Sequence, residues 1–198
     1  MREEYHMKIL KKIDYNSPII LSFAFVSFVS LVLGYITGGR STQALFCVYR
    51  SSVANPLTYV RFFGHVLGHA DLSHYINNMM MLLLVGPMLE EKYGSKLLFM
   101  MILVTAFLTG LLNVMLFPGT ALLGASGVVF MMIILSSVTS VKEGTIPLTL
   151  IVVVILYLGQ QIMAGLFTPD NISQFTHILG GILGGVFGLV IKKNTENT

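Results

Sequence analysis

Long apolar stretches, separated by short groups of glycine, proline and polar residues, dominate the chain. A helix needs about 20 mostly apolar residues to cross a membrane, and six stretches approach that length. They lie near residues 18–37, 72–89, 96–117, 125–141, 146–166 and 174–191. The pattern predicts an all-α membrane protein with six transmembrane helices. Residues 1–17 form an N-terminal segment before the first helix, and residues 193–198 form a short tail.

The gap between the first two predicted helices, about residues 38–70, is much longer than the other gaps. It remains rich in apolar and aromatic residues, unlike a typical solvated linker. We therefore expect a long loop that lies in the membrane interface rather than a separate soluble domain.

Composition supports this class and excludes others. Hydrophobic residues make up 55% of the chain and charged residues only 11%, against about 25% charged residues in a soluble domain. The single cysteine, Cys47, excludes an internal disulfide and any multi-cysteine metal site. No basic stripe alternates with aromatic residues, so nucleic acid is not an expected partner. The charged start of the chain, with no small-residue cleavage site, is unlike a cleavable signal peptide.

The distribution of basic residues predicts the orientation. With six spans both termini lie on one side, which would hold nine basic residues against three on the other. The nine are Arg2, Lys8, Lys11, Lys12, Lys92, Lys96, Lys142, Lys192 and Lys193; the three are Arg40, Arg50 and Arg61. We expect a multi-pass protein of the cell membrane, with both termini in the cytoplasm.

Polar side chains within three predicted spans lie at one depth. His74, Ser126 and His177 each precede a charged residue at the cytoplasmic edge by 15 or 16 positions. At about 1.5 Å of helix rise per residue, all three lie some 22–24 Å above that edge in a core about 30 Å thick. Asn78 is one turn deeper, on the same face as His74. Such residues within a span are costly and mark functional sites.

Ser126 lies in the sequence Gly124-Ala125-Ser126-Gly127, where small neighbours leave its hydroxyl accessible. If a helix begins near Ser126, its first amide groups have no partner within the helix. Their dipole favours developing negative charge. A nucleophile in this position therefore has part of an oxyanion hole beside it.

His177 begins the last span, and Gly180 and Gly184 follow it. This spacing gives a ridge of small residues that lets two helices pack closely in lipid. If the partner is the helix of Ser126, the imidazole reaches the serine hydroxyl and acts as its base. Asp71 and Asp170 lie nearer the outer interface, so the sequence favours a Ser–His dyad over a triad.

Each feature also has a simpler explanation. A single serine, or the pair of His74 and Asn78, serves helix packing in many membrane proteins, and Gln160, Gln161 and Asn113 fit a packing or gating role. His65, His69 and His74 suggest a metal site. Against it, no carboxylate is placed as in a His-Glu-x-x-His site, and Asp71 fits a helix cap. We expect no metal.

The motifs together resemble the rhomboid intramembrane proteases. The family has a run of spaced histidines that leads to an asparagine. The stretch from Arg61 through His65 and His69, followed by His74 and Asn78, matches this run. Gly124-Ala125-Ser126-Gly127 matches its Gly-x-Ser-Gly sequence, and His177, Gly180 and Gly184 match its His-x-x-Gly-x-x-x-Gly sequence. Glu90 fits a glutamate of the family near the end of the second span.

The resemblance implies a six-helix rhomboid-like domain over residues 18–192 that cleaves peptide bonds of transmembrane protein substrates. Ser126 would be the nucleophile and His177 the base, with His74, Asn78 and the Ser126 amide as the oxyanion hole. Gly124, Gly127 and Phe130 would support the site, and no metal, nucleotide or other cofactor is implied. Substrate helices would reach the site from the side, beside the fifth span.

Two positions depart from the family pattern. Val60 replaces the tryptophan of a Trp-Arg pair, and Phe130 replaces a tyrosine beneath the histidine. Phenylalanine keeps the stacking surface but lacks the hydroxyl, so we expect weaker positioning of His177. Three alternative functions stay open. They are a rhomboid-like protein that binds transmembrane clients without cutting them, a small transporter or metal-handling channel built on His65, His69 and His74, and a purely structural protein.

Overall fold

A computed structural model of the chain describes residues 15–139 and 171–196, and between them only residues 148, 151, 152, 155, 156 and 159. Seven helices lie within the two long ranges. They are α1 (Pro18–Ile36), α2 (Arg40–Leu45), α3 (Pro56–Gly64), α4 (Leu72–Tyr93), α5 (Ser95–Leu116), α6 (Ser126–Thr139) and α7 (Asn171–Glu196). A 3-10 turn over His65–Leu67 continues α3. The regular structure of this part of the chain is helical apart from one isolated β-bridge.

Three of the helices in the described ranges are long and apolar enough to cross a membrane. They are Pro18–Ile36, Ser95–Leu116 and the Gln174–Ile191 part of α7, which correspond to the first, third and sixth predicted spans. The second and fourth predicted spans are the helices α4 and α6. The fifth, residues 146–166, lies outside the described residues except at isolated positions. The count of six therefore remains a prediction.

The long segment between α1 and α4 contains the short helices α2 and α3, which were not predicted, and its place in the membrane interface remains a prediction. Its sequence carries a start signal for α3: the Asn55 Oδ1 atom accepts a hydrogen bond from Leu57 N at 3.0 Å, and Pro56 occupies the first turn. Arg61 then fixes α3 to the preceding chain, because its guanidinium donates to Ser51 Oγ at 2.8 Å and to Tyr49 Oη at 3.1 Å. Periodicity did not reveal these helices because they are short and neither buries an apolar face.

One buried carboxylate joins three helix ends. The Glu90 Oε1 atom accepts hydrogen bonds from Ile19 N at 3.0 Å and Ser95 Oγ at 2.7 Å, and its Oε2 atom accepts from Ile20 N at 3.1 Å. The start of α1, the end of α4 and the start of α5 therefore meet at one end of the bundle. The other end of α4 is closed by Asp71, whose carboxylate accepts from His74 N at 2.8 Å; this confirms the predicted helix cap.

Candidate active site

Ser126 is the first residue of α6, as the sequence predicted. Its side chain is partly exposed, whereas its neighbours Ala125 and Gly127 are buried. Ser126 therefore lies where the amide groups of the first helical turn are not used by hydrogen bonds within the helix.

The extended segment before Ser126 is anchored to the long segment that follows α1. Val48 and Leu122 exchange two backbone hydrogen bonds of 2.9 and 2.8 Å, and Gly124 N donates to the carbonyl oxygen of His65 at 2.9 Å. The long segment thereby sets the position from which the chain enters α6. Sequence analysis did not predict these contacts, because they join residues far apart in the chain.

The His74 ring lies against Gly124, two residues before the serine. Gly124 has a φ of 128°, and a Cβ atom there would lie 2.8 Å from Nε2 of His74. Ala70 N lies 3.5 Å from Nδ1 of His74, which favours the tautomer whose proton is on Nε2. The structure therefore brings the Nε2 atom of His74, in the second predicted span, next to the start of α6.

Substituting Gly124 by alanine tests this contact. The positive φ and the overlap with His74 are expected to lower the free energy of unfolding by about 1–3 kcal/mol. Gly119→Ala is the matched control, because no described residue lies within 4 Å of a Cβ at that position. Thermal unfolding in detergent would compare the two variants; equal midpoints for both would contradict the described packing of His74.

Glycine residues of α7 allow this helix to pack closely against α6. A Cβ atom on Gly180 would overlap the carbonyl oxygen of Gly127, and one on Gly184 would overlap that of Met131. Such contact between backbones is possible only where side chains are absent. The glycine ridge of the last span thus faces the helix that begins at Ser126.

His177 lies flat against Phe130. The two rings are stacked with centroids 4.3 Å apart and planes 14° from parallel. Both residues are buried. Phe130 is four residues after Ser126, on the same face of α6, so the imidazole lies over the first turn of the helix that Ser126 begins.

Asn78 is buried in α4, and its Nδ2 atom donates to the carbonyl oxygen of His74 at 3.0 Å. A side-chain amide carries two N–H groups, so this bond leaves a second donor for another acceptor. Asn78 is one helical turn from His74, whose ring contacts Gly124. The residues expected around an oxyanion therefore come from α4 and from the start of α6.

The rings of His65 and His69 are held by hydrogen bonds within the protein. The His65 ring lies between the carbonyl oxygen of Arg61, 3.2 Å from Nδ1, and the hydroxyl of Thr109, 3.3 Å from Nε2. Burial lowers the pKa of His65 to about 4. Burial and then the neighbouring His74 lower the pKa of His69 to about 4. Both are therefore neutral at pH 7. Among the described residues, no three His, Cys, Asp or Glu side chains converge as metal ligands would.

Two threonines at the site were missed by sequence analysis. A Cβ atom on Gly127 would lie 3.0 Å from Cγ2 of Thr176 and 3.3 Å from Cγ2 of Thr109, so both methyl groups fill the space beside the serine turn. Their signal in the sequence was weak: Thr176 directly precedes His177, and Thr109 precedes a glycine within a span. Asn113, expected to serve packing, is buried in α5, whereas Gln160 and Gln161 lie outside the described residues.

Comparison with known proteins places these features in one family. A family profile described as Rhomboid domain matches residues 56–194. The chain therefore belongs to the rhomboid family. It is 26% identical over 197 residues to Rhomboid protease GluP of Bacillus subtilis (strain 168), an alignment that covers 94% of this chain and 38% of that protein. This chain thus spans well under half of the relative's length. Family membership and the long apolar helices identify an integral membrane protein.

Proposed function

We propose that this protein is an intramembrane serine endopeptidase that hydrolyses peptide bonds in or near transmembrane segments of membrane proteins. The observation that carries the proposal is the stacking of His177 on Phe130, 4.3 Å away, over the turn that begins at Ser126. The close contact of Gly180 with Gly127 supports the same pairing of helices. A histidine held against the turn of an accessible serine is the arrangement that activates a hydroxyl.

The proposed reaction follows a Ser–His dyad. The Ser126 Oγ atom attacks the substrate carbonyl carbon while His177 takes the hydroxyl proton. The oxyanion that forms is held by the Ser126 backbone N–H, His74 Nε2 and Asn78 Nδ2. Collapse of this intermediate expels the amine, which receives the proton from His177, and leaves an acyl-enzyme. Water then attacks the acyl group, with His177 again as base, and releases Ser126.

The aromatic partner of His177 has a limited role in this scheme. Phe130 fixes the plane of the imidazole by stacking but has no hydroxyl to bond with it. We expect a working dyad whose base is held less firmly than above a tyrosine. Phe130 therefore supports the reaction without taking part in proton transfer.

The proposal includes a topology and a substrate class. Six spans with both termini in the cytoplasm of a cell-membrane protein would open the site toward the outer face. The excess of basic residues on the side of the termini supports that orientation. Substrates would be transmembrane protein segments that approach through surrounding lipid, with no metal or other cofactor required.

Cleavage of a model transmembrane substrate in proteoliposomes tests the proposed activity. Ser126→Ala is expected to abolish cleavage. Ser137→Ala is the matched control on the same helix, because its hydroxyl bonds the carbonyl oxygen of Ile133 within its own helix; it should cleave as the unmodified protein does. Cleavage that persists in Ser126→Ala would contradict the proposal, and substrate binding without cleavage by the folded protein would favour client binding.

Asn78→Ala tests the oxyanion assignment. Loss of one donor to a developing oxyanion is expected to reduce turnover roughly a hundredfold while the protein stays folded. Asn77→Ala, at the exposed neighbouring position, should leave turnover unchanged. The measurement is the initial rate at saturating substrate. Normal turnover in Asn78→Ala would remove Asn78 from the oxyanion hole.

A further inference from the structure

A second concave feature lies away from Ser126, between α1, α3 and α5. It is an apolar groove of about 420 Å³. Its floor consists of buried residues from these elements and the turn after α3: Phe23, Gly64, Val66, Ile102 and Ala106. Its rim is formed by Val60, Phe63 and Phe99, each more than 40% exposed. All the side chains that line the groove are apolar, so a water-filled pocket or a polar ligand does not fit it.

The groove lies at the depth of the hydrocarbon core. The hydrogen bonds of Glu90 place the first residues of α1 and α5 at the same end of the bundle. On α5 the groove extends from Phe99 to Ala106, which the helical rise places about 6–16 Å from Ser95. Half of the hydrocarbon core is about 15 Å thick. The groove therefore occupies one leaflet, the one on the side of Ser95.

Helix α3 covers the groove toward the other leaflet. The rings of Phe62 and Phe63 each lie 5.8 Å from the ring of Phe107. A Cβ atom on Gly110 would lie 3.2 Å from the carbonyl oxygen of Phe62. Because these contacts lie beyond Ala106 along α5, a molecule reaches the groove from the Ser95 side.

A basic residue stands at that side of the groove. Lys96 is exposed, and Phe99, Leu103 and Ala106 follow it at spacings of three or four residues, which form one stripe along α5. A lysine at a helix end extends its ammonium group toward the headgroup region. Lys96 thus provides a positive charge at headgroup depth, and the apolar groove lies next to it within the leaflet. A phospholipid with a negatively charged headgroup and an apolar acyl chain matches this arrangement.

We propose that the groove binds one acyl chain of an anionic phospholipid from this leaflet, with the phosphate near Lys96 and the end of the chain beneath α3. The bound chain fills the space under α3 and the turn that follows it. That turn contains His65, whose carbonyl oxygen accepts the hydrogen bond from Gly124 N. Lipid in the groove therefore steadies the segment that leads into Ser126. Lipid binding does not depend on the proposed proteolysis.

The chain contains no tryptophan, so a single introduced tryptophan reports on one position. Phe63→Trp and Phe99→Trp place the reporter on the groove rim, whereas Phe25→Trp, 67% exposed on α1, is the matched control outside the groove. Phospholipid brominated in its acyl chains quenches tryptophan on contact. Purified variants would be titrated with brominated phosphatidylglycerol at a few lipid molecules per protein in detergent.

Saturable quenching is expected for both groove reporters, at least twofold stronger than for Phe25→Trp, and unbrominated lipid should reverse it. Adding Lys96→Glu to the reporters should raise the half-saturating lipid concentration roughly tenfold, whereas the same change at Lys92 should have little effect. Equal, non-saturating quenching at all three reporters would overturn the proposal. If a transmembrane peptide reverses the quenching and unbrominated lipid does not, the groove binds a protein segment and the proposal is wrong. If Lys96→Glu has no effect, the phosphate does not lie near Lys96.

Discussion

Valine in place of Gly184 is expected to reduce both stability and activity. A Cβ atom at this position overlaps the carbonyl oxygen of Met131 and lies 3.0 Å from Leu135 N. Backbone atoms of a helix cannot move aside as a flexible side chain can, so α7 must shift away from α6. Overpacking of this kind costs about 1–3 kcal/mol or more. The shift also separates His177 from the serine turn, and activity should fall at least roughly a hundredfold.

Gly185→Val is the matched control for this prediction. It adds the same side chain one residue further along α7, where, among the described residues, a Cβ atom meets Ile134 alone, at 3.9 Å. Thermal unfolding in detergent and cleavage of a transmembrane substrate would be measured for both variants. We expect a large loss of stability and activity for Gly184→Val and a small one for Gly185→Val. Similar losses in the two variants would show that the contact between α6 and α7 lies on another face.

Glu90→Gln is expected to lower the free energy of unfolding by about 2–3 kcal/mol. The buried carboxylate accepts three hydrogen bonds, from Ile19 N, Ile20 N and Ser95 Oγ. An amide offers one oxygen and one NH2 group, so a backbone N–H of α1 would then face another donor. Hydrogen bonds to a charged acceptor contribute about 1.5–3 kcal/mol, and a buried donor without a partner is costly.

Glu91→Gln supplies the comparison for Glu90→Gln, because Glu91 is exposed and an exposed substitution changes stability by about 0.5 kcal/mol or less. Equilibrium unfolding in mixed micelles would measure both. A loss of stability confined to Glu90→Gln supports the role of Glu90 in joining α1, α4 and α5. Equal stability of the two variants would contradict it.

Much of the helical arrangement could be predicted from the sequence, because apolar length and turn residues determine where helices begin and end. The start of α6 at Ser126 and the Asp71 cap follow from local rules of helix ends, and both agree with the structure. Helices α2 and α3 were not predicted. They are short, and neither buries an apolar face: α2 is mainly polar, and α3 buries Thr58, Arg61 and Gly64 while Val60 and Phe63 are exposed. The usual pattern of apolar residues on the buried face is therefore absent.

The candidate site was only partly predictable for a different physical reason. Motif residues such as Ser126 and His177 are recognisable because their chemistry is unusual within a span. The contacts that hold them are not local: Gly124 bonds His65, Leu122 pairs with Val48, and Thr109 and Thr176 meet beside Gly127. Such contacts depend on how distant helices pack, and one sequence carries little record of that packing.

The apolar groove could not be predicted from the sequence for the same reason. Each of its residues is ordinary in a membrane helix or an interfacial segment, and only the three-dimensional arrangement leaves space between Phe23, Phe63 and Ile102. The stripe from Lys96 along α5 is visible in the sequence. That this stripe lines a groove could not be predicted, because the groove also requires α3, which covers its far end.

Labelling with a fluorescent fluorophosphonate would show whether His177 activates Ser126. The probe reacts covalently with activated serine hydroxyls, so no knowledge of the natural substrate is needed. We expect labelling of the detergent-solubilised protein and of Ser137→Ala, with loss of labelling in both Ser126→Ala and His177→Ala. Undiminished labelling of Ser126→Ala, or no labelling of the folded unmodified protein, would show that His177 does not activate Ser126.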